Sequence, residues 1–263
     1  MKLSFVISQN KTKFEAGSQT KDLCKTLRYM KGLGFDGAEL AIRNPKSFQK
    51  EGVKNIDMEI SAIGTGQAYL EEGLSLSHYN NEIRKKAIKR IYEHINLASA
   101  LESKVIIGLI RGNLGGGNFN RSIQKFRDSL NRCLSFAEKQ KVTLLIEPIN
   151  RYECNFLNTI SQTVSLIRDY KSPRLKLLVD SFHMNIEEQD MCEGILSASS
   201  LIEHVHFADS NRLYPGMGHI NFKDLIKTFK KIGYKEFISG EIIPKPNEKE
   251  AMINFINFMK KNI

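Results

Sequence analysis

The sequence predicts a single α/β domain over residues 1–263, a (β/α)₈ barrel in which eight strands are each followed by a helical stretch. Three observations support this fold. The chain has 263 residues, a length at which such barrels commonly form one domain. Short apolar runs alternate with longer amphipathic stretches, and no Pro- or Ser-rich linker divides them. Eight such runs are present, which favours a closed barrel over an open sheet.

The predicted strands are short and rich in Val, Ile and Leu. Val105–Ile107, Leu144–Ile146 and Leu177–Val179 are continuous in these residues, which is typical of parallel strands that are covered on both faces. In chain order, the predicted strands are Leu3–Ile7, Gly37–Ile42, Glu59–Ile63, Lys104–Gly108, Val142–Ile146, Leu175–Val179, Ile202–Phe207 and Phe237–Ser239.

Helices are predicted between the strands because apolar residues recur there at three- and four-residue steps. Such repeats run from Ile83 to Ala98 and from Ile123 to Ala137. Thr159 and Gln162 have the spacing of a capping box and predict the start of a further helix. The second unit is the weakest, because Asn44 to Asn55 is short and poor in periodicity.

An open doubly wound sheet is the other fold that repeated strand–helix units form. It usually carries a glycine-rich phosphate loop after its first strand, whereas Ser8–Lys11 contains no glycine. Gly115–Gly117 follows the fourth strand, lacks the Lys-Ser/Thr pair of a phosphate loop, and predicts a flexible loop. The closed barrel is therefore the favoured fold.

The charge and the apolar pattern narrow the class of partner. The net charge is +10, but the lysines and arginines are spread along the chain rather than massed in the stripe that nucleic-acid binding favours. No apolar run approaches the roughly 18 residues needed to cross a bilayer. The apolar stretch at the N-terminus is too short for a signal peptide. These features predict a cytoplasmic protein with neither a nucleic-acid nor a membrane partner.

The cysteines predict neither disulfides nor a thiolate metal site. The chain contains four cysteines with no Cys-x-x-Cys pair, and scattered cysteines of this kind are usually small buried hydrophobes.

The catalytic groups of a barrel lie at the carboxyl ends of its strands, and four metal-competent side chains fall there. Glu147, Asp180, His206 and Glu241 lie at or near the ends of the last four predicted strands. Each alone has a structural alternative, such as capping a helix or filling the core. Together they are costly in a barrel mouth unless they are paired or bound to metal. The set predicts one divalent ion, Mn²⁺ as first choice, with Co²⁺, Mg²⁺ or Zn²⁺ as alternatives.

These residues lie in motifs that resemble the ketose 3-epimerase family, within the xylose isomerase-like TIM barrels. The motifs are Glu-Pro-x-Asn-Arg-Tyr-Glu, Asp-x-Phe-His-Met-Asn, His-x-His-x-Ala-Asp-Ser-Asn-Arg and a closing Gly-Glu. The resemblance runs from Met1 to the last helix. It implies that Glu147, Asp180, His206 and Glu241 bind the metal and that Glu147 and Glu241 form the acid/base pair. It also implies that three residues hydrogen-bond substrate oxygens: Glu153, His183 and Arg212.

Within this family, the chain resembles one subgroup more closely, and that subgroup includes 5-keto-L-gluconate epimerase. The similar stretches are Ala62–Leu70 and Val105–Gly112. Gly66 and Gln67, in the first stretch, are candidate substrate contacts.

The charge of the substrate is predicted from one difference between this chain and the family that it resembles. The chain has no tryptophan, whereas neutral-ketose epimerases commonly place a bulky aromatic residue beside the fourth strand. Arg111 occupies that neighbourhood instead. An arginine can bind a carboxylate bidentately, so Arg111, together with Arg43 after the second strand, favours a keto-sugar acid. A surface or helix-pairing role for Arg111 is the alternative.

The chemistry of epimerisation agrees with this site. A proton beside a ketone is too weakly acidic for a carboxylate to remove unaided, and a metal ion on the neighbouring oxygens stabilises the enediolate that forms. Inversion needs one carboxylate on each face of that plane. The sequence therefore predicts a metal-dependent epimerase acting at C3 of a ketose or keto-sugar acid, with a small sugar as its partner. A homo-oligomeric state is left open.

Three alternatives remain open at this stage. An aldose–ketose or hydroxypyruvate isomerase would use the same metal site. An apurinic endonuclease with three zinc ions would need histidines at the ends of the second and third strands, which read Glu39–Arg43 and Gly64–Gln67. A non-catalytic sugar-binding barrel would not need the complete set of ligands and acid/base groups.

Overall fold

The computed structural model describes residues 1–9, 12–48, 50–115 and 119–263. Asn10, Lys11, Gly116 and Gly117, from two of the predicted loops, lie outside the described residues. No helix among the described residues is long and apolar enough to cross a membrane.

The described strands form one parallel sheet that closes on itself, with order β2-β1-β3-β4-β5-β6-β7-β8-β9 and a further pairing of β1 with β9. The strands are β1 (Lys2–Gln9), β2 (Ser18–Thr20), β3 (Gly37–Ala41), β4 (Glu59–Gly64), β5 (Val105–Ile107), β6 (Leu144–Ile146), β7 (Leu175–Asp180), β8 (Ile202–Phe207) and β9 (Phe237–Gly240). All eight predicted strands are present, and the predicted closed barrel is confirmed.

The sequence analysis missed the short strand β2. β9 pairs with β1 from Lys2 to Phe5, and β2 pairs with β1 from Ile7 to Gln9. β2 therefore continues the hydrogen bonding of β1 beyond the point where β9 ends.

Most of the helices pack around the outside of the barrel and bury an apolar face, whereas α3 and α7 contribute residues to the cavity at its carboxyl end. They are α1 (Leu23–Leu33), α2 (Lys50–Lys54), α3 (Gly66–Glu72), α4 (Asn81–Ala100), α5 (Phe119–Lys139), α6 (Ile160–Tyr170), α7 (Ser181–Glu187), α8 (Met191–Ser197), α9 (Phe222–Lys231) and α10 (Glu248–Asn262). The predicted capping box of Thr159 and Gln162 begins α6. The weak second unit contains a 3₁₀ turn, Pro45–Ser47, and the five-residue α2.

The interior of the barrel has an apolar side and a polar side. Ala62, Ile106, Leu145 and Leu178, from β4 to β7, form a small cluster separate from the large core outside the strands. β1 and β9 instead bring two buried hydroxyls together, since the Ser4 and Ser239 Oγ atoms lie 2.8 Å apart. Polar groups on the strands of this second side can therefore be hydrogen-bonded to one another within the barrel.

Candidate metal and active site

The structure brings the four predicted metal ligands together at the carboxyl end of the barrel. Glu147 directly follows β6, Asp180 ends β7, His206 lies in β8, and Glu241 directly follows β9. One ligand atom from each lies within 4.8 Å of the others. His206 Nδ1 is 3.5 Å from Glu147 Oε1 and 3.8 Å from both Asp180 Oδ2 and Glu241 Oε1. These separations are too long for direct hydrogen bonds.

Two atoms in the middle of this group have no hydrogen-bond partner among the described residues. They are Asp180 Oδ2 and His206 Nδ1, both buried. An unsatisfied buried acceptor is costly, and three carboxylates around one imidazole nitrogen repel one another. A divalent cation that prefers oxygen and nitrogen ligands would compensate both effects, so the residues present fit such an ion.

The surroundings shift the proton affinities of the ligands in the metal-free protein. Burial, together with the carboxylates of Glu147 and Asp180, raises the pKa of Glu241 to about 8 against the opposing charges of His206 and Arg212. Burial opposes ionisation of Asp180, but His183 and His206 outweigh it and lower its pKa. Burial also disfavours the charged form of His206, whereas Glu39 and Glu241 raise its pKa well above the ordinary value.

His183 presents a hydrogen-bond donor to the site. Its Nε2 is 3.8 Å from Asp180 Oδ2 and 3.9 Å from Glu147 Oε1. Its Nδ1 lies 2.8 Å from the Asn150 side-chain nitrogen. That amide is oriented because its oxygen accepts from the Tyr152 N–H and its nitrogen donates to Glu153. Nδ1 therefore accepts a hydrogen bond, and the proton of the neutral ring is on Nε2. Burial lowers the pKa of His183 and favours this neutral form.

Arg212 connects two carboxylates of the site. Its Nη2 donates to Glu241 Oε2 at 3.0 Å, and its Nη1 donates to Glu153 Oε1 at 3.3 Å. The guanidinium lies over the rings of Phe182 and Phe14, at 4.7 and 5.5 Å from their centroids. These contacts hold the cation beside the candidate metal ligands.

Asp209 organises the loop that carries Arg212. Its buried carboxylate accepts backbone N–H groups from Ser210, Gly216 and Ile220. Arg212 has a positive φ of 59°, a conformation that is uncommon for residues other than glycine. The sequence analysis did not assign a role to Asp209, although it stands in the same motif.

A cavity opens above the candidate ligands. It is lined by Glu147, His206 and Glu241, and also by other predicted site residues: Glu153, His183, Arg212, Gly66 and Gln67. Apolar side chains complete its wall, among them Val6, Phe14, Ile106, Leu109 and Ile149. The cavity thus combines a polar floor with apolar sides, which suits a small polar ligand.

Arg111 does not reach this cavity. Its side chain is fully buried, and its guanidinium donates to the backbone carbonyl of Glu147. Its Nε lies 3.3 Å from Cys154 Sγ, and the ring centroid of Phe156 is 5.4 Å away. This corrects the expectation that the Arg111 guanidinium is placed to bind a carboxylate of the substrate. The 3₁₀ turn Leu109–Arg111 directs the side chain behind Glu147 instead.

Arg43 is also held outside the cavity. Its Nε donates to Glu72 Oε1 at 3.1 Å, and both residues line a separate surface depression with Arg90.

Glu39 is a site residue that the sequence analysis missed. Its buried carboxylate accepts hydrogen bonds from His204 Nε2 at 2.8 Å and from His206 Nε2 at 3.0 Å. Burial opposes its ionisation, but the two imidazoles outweigh this and lower its pKa. Two signals were available: a glutamate inside an apolar strand, and a His-x-His pair whose members share one face of a strand.

Comparison with known proteins shows one consistent likeness. The model of the family described as xylose isomerase-like TIM barrel matches residues 27–261. An L-ribulose 3-epimerase of Mesorhizobium japonicum is 28% identical over 235 residues, 87% of this chain and 78% of that protein. A 3-dehydro-D-guloside 4-epimerase of Escherichia coli is 25% identical over 235 residues, covering 84% and 87% of the two chains. These relatives are sugar epimerases, which are isomerases.

Solved structures of sugar epimerases show the same likeness. A structure described as L-ribulose 3-epimerase has a TM-score of 0.78 and 25% identity, covering 95% of this chain and 85% of that one. D-psicose 3-epimerase from Clostridium cellulolyticum H10, solved with D-tagatose, has a TM-score of 0.83 at 19% identity, over 100% and 99% of the chains. At that identity the second likeness concerns the fold alone.

Proposed function

The chain belongs to the xylose isomerase-like TIM barrel family, and on that basis we propose that it is a metal-dependent sugar epimerase that inverts C3 of a ketose. The observation that carries the proposal is the convergence of Glu147, Asp180, His206 and Glu241 around two unpartnered buried atoms on the floor of a cavity. Supporting evidence is that the sugar epimerases named above match most of the chain.

These four residues would hold the metal ion, for which Mn²⁺ is our first choice. Three carboxylates and one imidazole form an oxygen-rich set with no thiolate, and such a set suits a hard divalent ion. When bound, the ion supplies Lewis-acid stabilisation of the negative charge that develops on the substrate oxygens.

Glu147 and Glu241 would transfer the proton. They follow β6 and β9, and two strands separate them around the barrel mouth, so their carboxylates approach the cavity from different directions. In the proposed step, one carboxylate takes the proton from the carbon beside the ketone, and the other carboxyl returns a proton to the opposite face. The negative charge left on the substrate is shared by the carbonyl and hydroxyl oxygens of an enediolate.

His183, Arg212 and Glu153 would orient the substrate. The Nε2–H of His183 points toward the candidate ligands, and a donor at this place stabilises an oxygen on which negative charge develops. Arg212, fixed by Glu153 and Glu241, provides a cation next to the reacting carbons. Gly66 and Gln67 line the same cavity and would contact the rest of the sugar.

The charges in the cavity favour an uncharged ketose over a keto-sugar acid. Among the described lining residues, the one Lys or Arg side chain is Arg212, and two carboxylates already pair with it. Arg111 and Arg43, which suggested an acid such as 5-keto-L-gluconate, lie outside the cavity. A substrate carboxylate there would add charge next to Glu147, Glu153 and Glu241.

The test is solvent exchange followed by NMR. The Mn²⁺-loaded protein is incubated in D₂O with a panel of neutral ketoses and keto-sugar acids, and is removed with its metal before the spectra are recorded. We expect deuterium at C3 together with the C3 epimer, and the highest rate with a neutral ketose. Deuterium at C1 would show an aldose–ketose isomerase. No exchange with any sugar would show a non-catalytic barrel, and a marked preference for the acids would reverse the assignment of substrate charge.

A further inference from the structure

A buried cluster inside the barrel lies directly beneath the candidate metal ligands. Glu39 from β3 contacts His204 and His206 from β8, and the three side chains are at most 2% exposed. Glu39 Oε2 accepts from His204 Nε2 at 2.8 Å and from His206 Nε2 at 3.0 Å. The two imidazole centroids are 5.3 Å apart with planes at 83°. One carboxylate thus receives hydrogen bonds from two rings of different orientation.

These contacts determine where the imidazole protons are. An ionised carboxylate only accepts hydrogen bonds, so each ring must carry a proton on Nε2. The Nδ1 atom of a neutral ring then carries its lone pair. His206 Nδ1 is buried without a partner and faces Glu147, Asp180 and Glu241. Among the described residues, His204 Nδ1 is buried without a partner as well.

His204 secures the carboxylate in this arrangement. It lies two residues before His206 on the same face of β8, and its ring bonds the same Oε2 atom of Glu39. Rotation of the Glu39 carboxylate away from His206 would break the His204 hydrogen bond too. Both buried donors would then be left unsatisfied, which costs stability.

We propose that Glu39 is a positioning residue that presents Nδ1 of His206 to the metal ion, and that His204 holds Glu39 in place. The inference rests on the metal site of the proposed function. A carboxylate that accepts the second N–H of a ligating imidazole fixes its tautomer and ring orientation and increases its basicity. Here the carboxylate comes from β3 and the ligand from β8, and β1 and β9 lie between these two strands in the closed sheet. The barrel itself therefore supports the ligand.

The test is the metal affinity of Glu39→Gln, measured by titration calorimetry with Mn²⁺ and with Co²⁺ in the absence of sugar. The glutamine side chain keeps the shape but has one acceptor oxygen, an NH₂ donor and no negative charge. His206 Nε2 lies 3.0 Å from Oε2 and 3.1 Å from Oε1 of Glu39, so in either orientation the NH₂ group of glutamine would face an imidazole N–H. We expect the Kd for metal to rise about 10- to 100-fold, while kcat at saturating metal falls much less than the affinity. The matched control is Glu188→Gln, which makes the same change at a partly buried glutamate outside the site, where the carboxylate accepts from the Ile160 N–H. Its Kd for metal should stay within about threefold of the wild-type value.

A second measurement uses the wild-type protein and does not depend on folding of the variant. Long-range ¹H–¹⁵N spectra of the Zn²⁺-loaded, histidine-labelled protein should show protons on Nε2 of both His204 and His206, and coordination of His206 through Nδ1. Coordination through Nε2, or wild-type metal affinity in folded Glu39→Gln, would overturn the inference. If the wild-type protein binds no metal, the proposed function fails as well. If it binds metal and the variant binds equally, only the role of Glu39 fails.

Discussion

The side-chain nitrogen of Asn150 donates a hydrogen bond to Nδ1 of His183 across 2.8 Å, and this contact decides which ring nitrogen faces the cavity with a proton. Because the amide oxygen is occupied by the Tyr152 N–H, the side chain cannot reverse without losing two hydrogen bonds. The residue that orients His183 thus lies in the loop that also carries Glu147 and Glu153.

Asn150→Asp should impair turnover without removing the metal. A carboxylate cannot donate to Nδ1, and it favours a proton there, so Nε2 would lose its proton or the ring would become charged. We expect kcat to fall at least about tenfold, the lower range for loss of a positioned proton donor, with unchanged metal content by mass spectrometry. Asn80→Asp is the matched control, because it makes the same change at the N-cap of α4, where the side-chain oxygen accepts from the Glu82 N–H and aspartate can cap as well. Wild-type kcat in Asn150→Asp would show that the tautomer does not matter.

Gly108→Ala should displace the carboxylate of Glu147. A methyl group at Gly108 would overlap Glu147 Oε2, so the candidate base and metal ligand would have to move. We expect weaker metal binding and a kcat reduced by about tenfold or more, since small misplacements of a catalytic group are costly. Gly32→Ala in α1, where an added Cβ meets nothing within 4 Å, should leave both quantities unchanged. Unaltered activity in Gly108→Ala would argue against a close role of Glu147 in catalysis.

Glu147→Gln and Glu241→Gln should each abolish inversion but not folding. Glutamine keeps an oxygen ligand and removes the group that transfers the proton, so epimerisation should fall by about 10²–10⁴. With one carboxylate left, each variant should exchange the C3 hydrogen of only one of the two epimers in D₂O, without inverting it. NMR of the separate epimers measures this. Equal exchange of both epimers in either variant would indicate a single base instead of two.

Metal affinity should increase with pH. Burial raises the pKa of Glu241 to about 8, and the neighbouring carboxylates raise the pKa of His206, so the metal-free site holds protons at neutral pH. Bound metal requires the deprotonated forms, and the apparent affinity should therefore weaken as pH falls below about 8, by about tenfold per pH unit for each proton displaced. Calorimetry at pH 6.5 and 8 in buffers of different ionisation enthalpy would detect the released protons. Equal affinity and no proton release would contradict this prediction.

Arg111→Met should destabilise the protein without changing substrate preference. The Glu147 carbonyl loses a buried donor, which costs about 1–3 kcal/mol of unfolding free energy. Denaturant unfolding measures that loss. The values of kcat/KM for a neutral ketose and for a keto-sugar acid should change by the same factor, because Arg111 does not line the cavity. Arg43→Met serves as a control at an exposed arginine. A selective rise of KM for the acid would restore the role that the sequence suggested for Arg111.

The sequence by itself determined the barrel and the strand ends that carry the candidate ligands. Continuous apolar runs mark buried parallel strands, and parallel strands of a barrel bring their carboxyl ends to one rim. Glu147, Asp180 and Glu241 could therefore be placed together without knowledge of any contact. β2 was missed because three residues carry too little periodicity to indicate a strand.

The tertiary structure alone decided which way the side chains beyond the strands point and which partners they meet. Arg111 stands four residues after β5, and a 3₁₀ turn carries its guanidinium behind Glu147 rather than into the mouth. Glu39 and His206 are 167 residues apart in the chain, and only closure of the barrel brings them into hydrogen-bond contact. The local pattern of apolar residues is enough to predict strands and helices, because the side-chain periods of both are short. Hydrogen bonds between distant strands depend on register and rotamer, which no short stretch of sequence encodes.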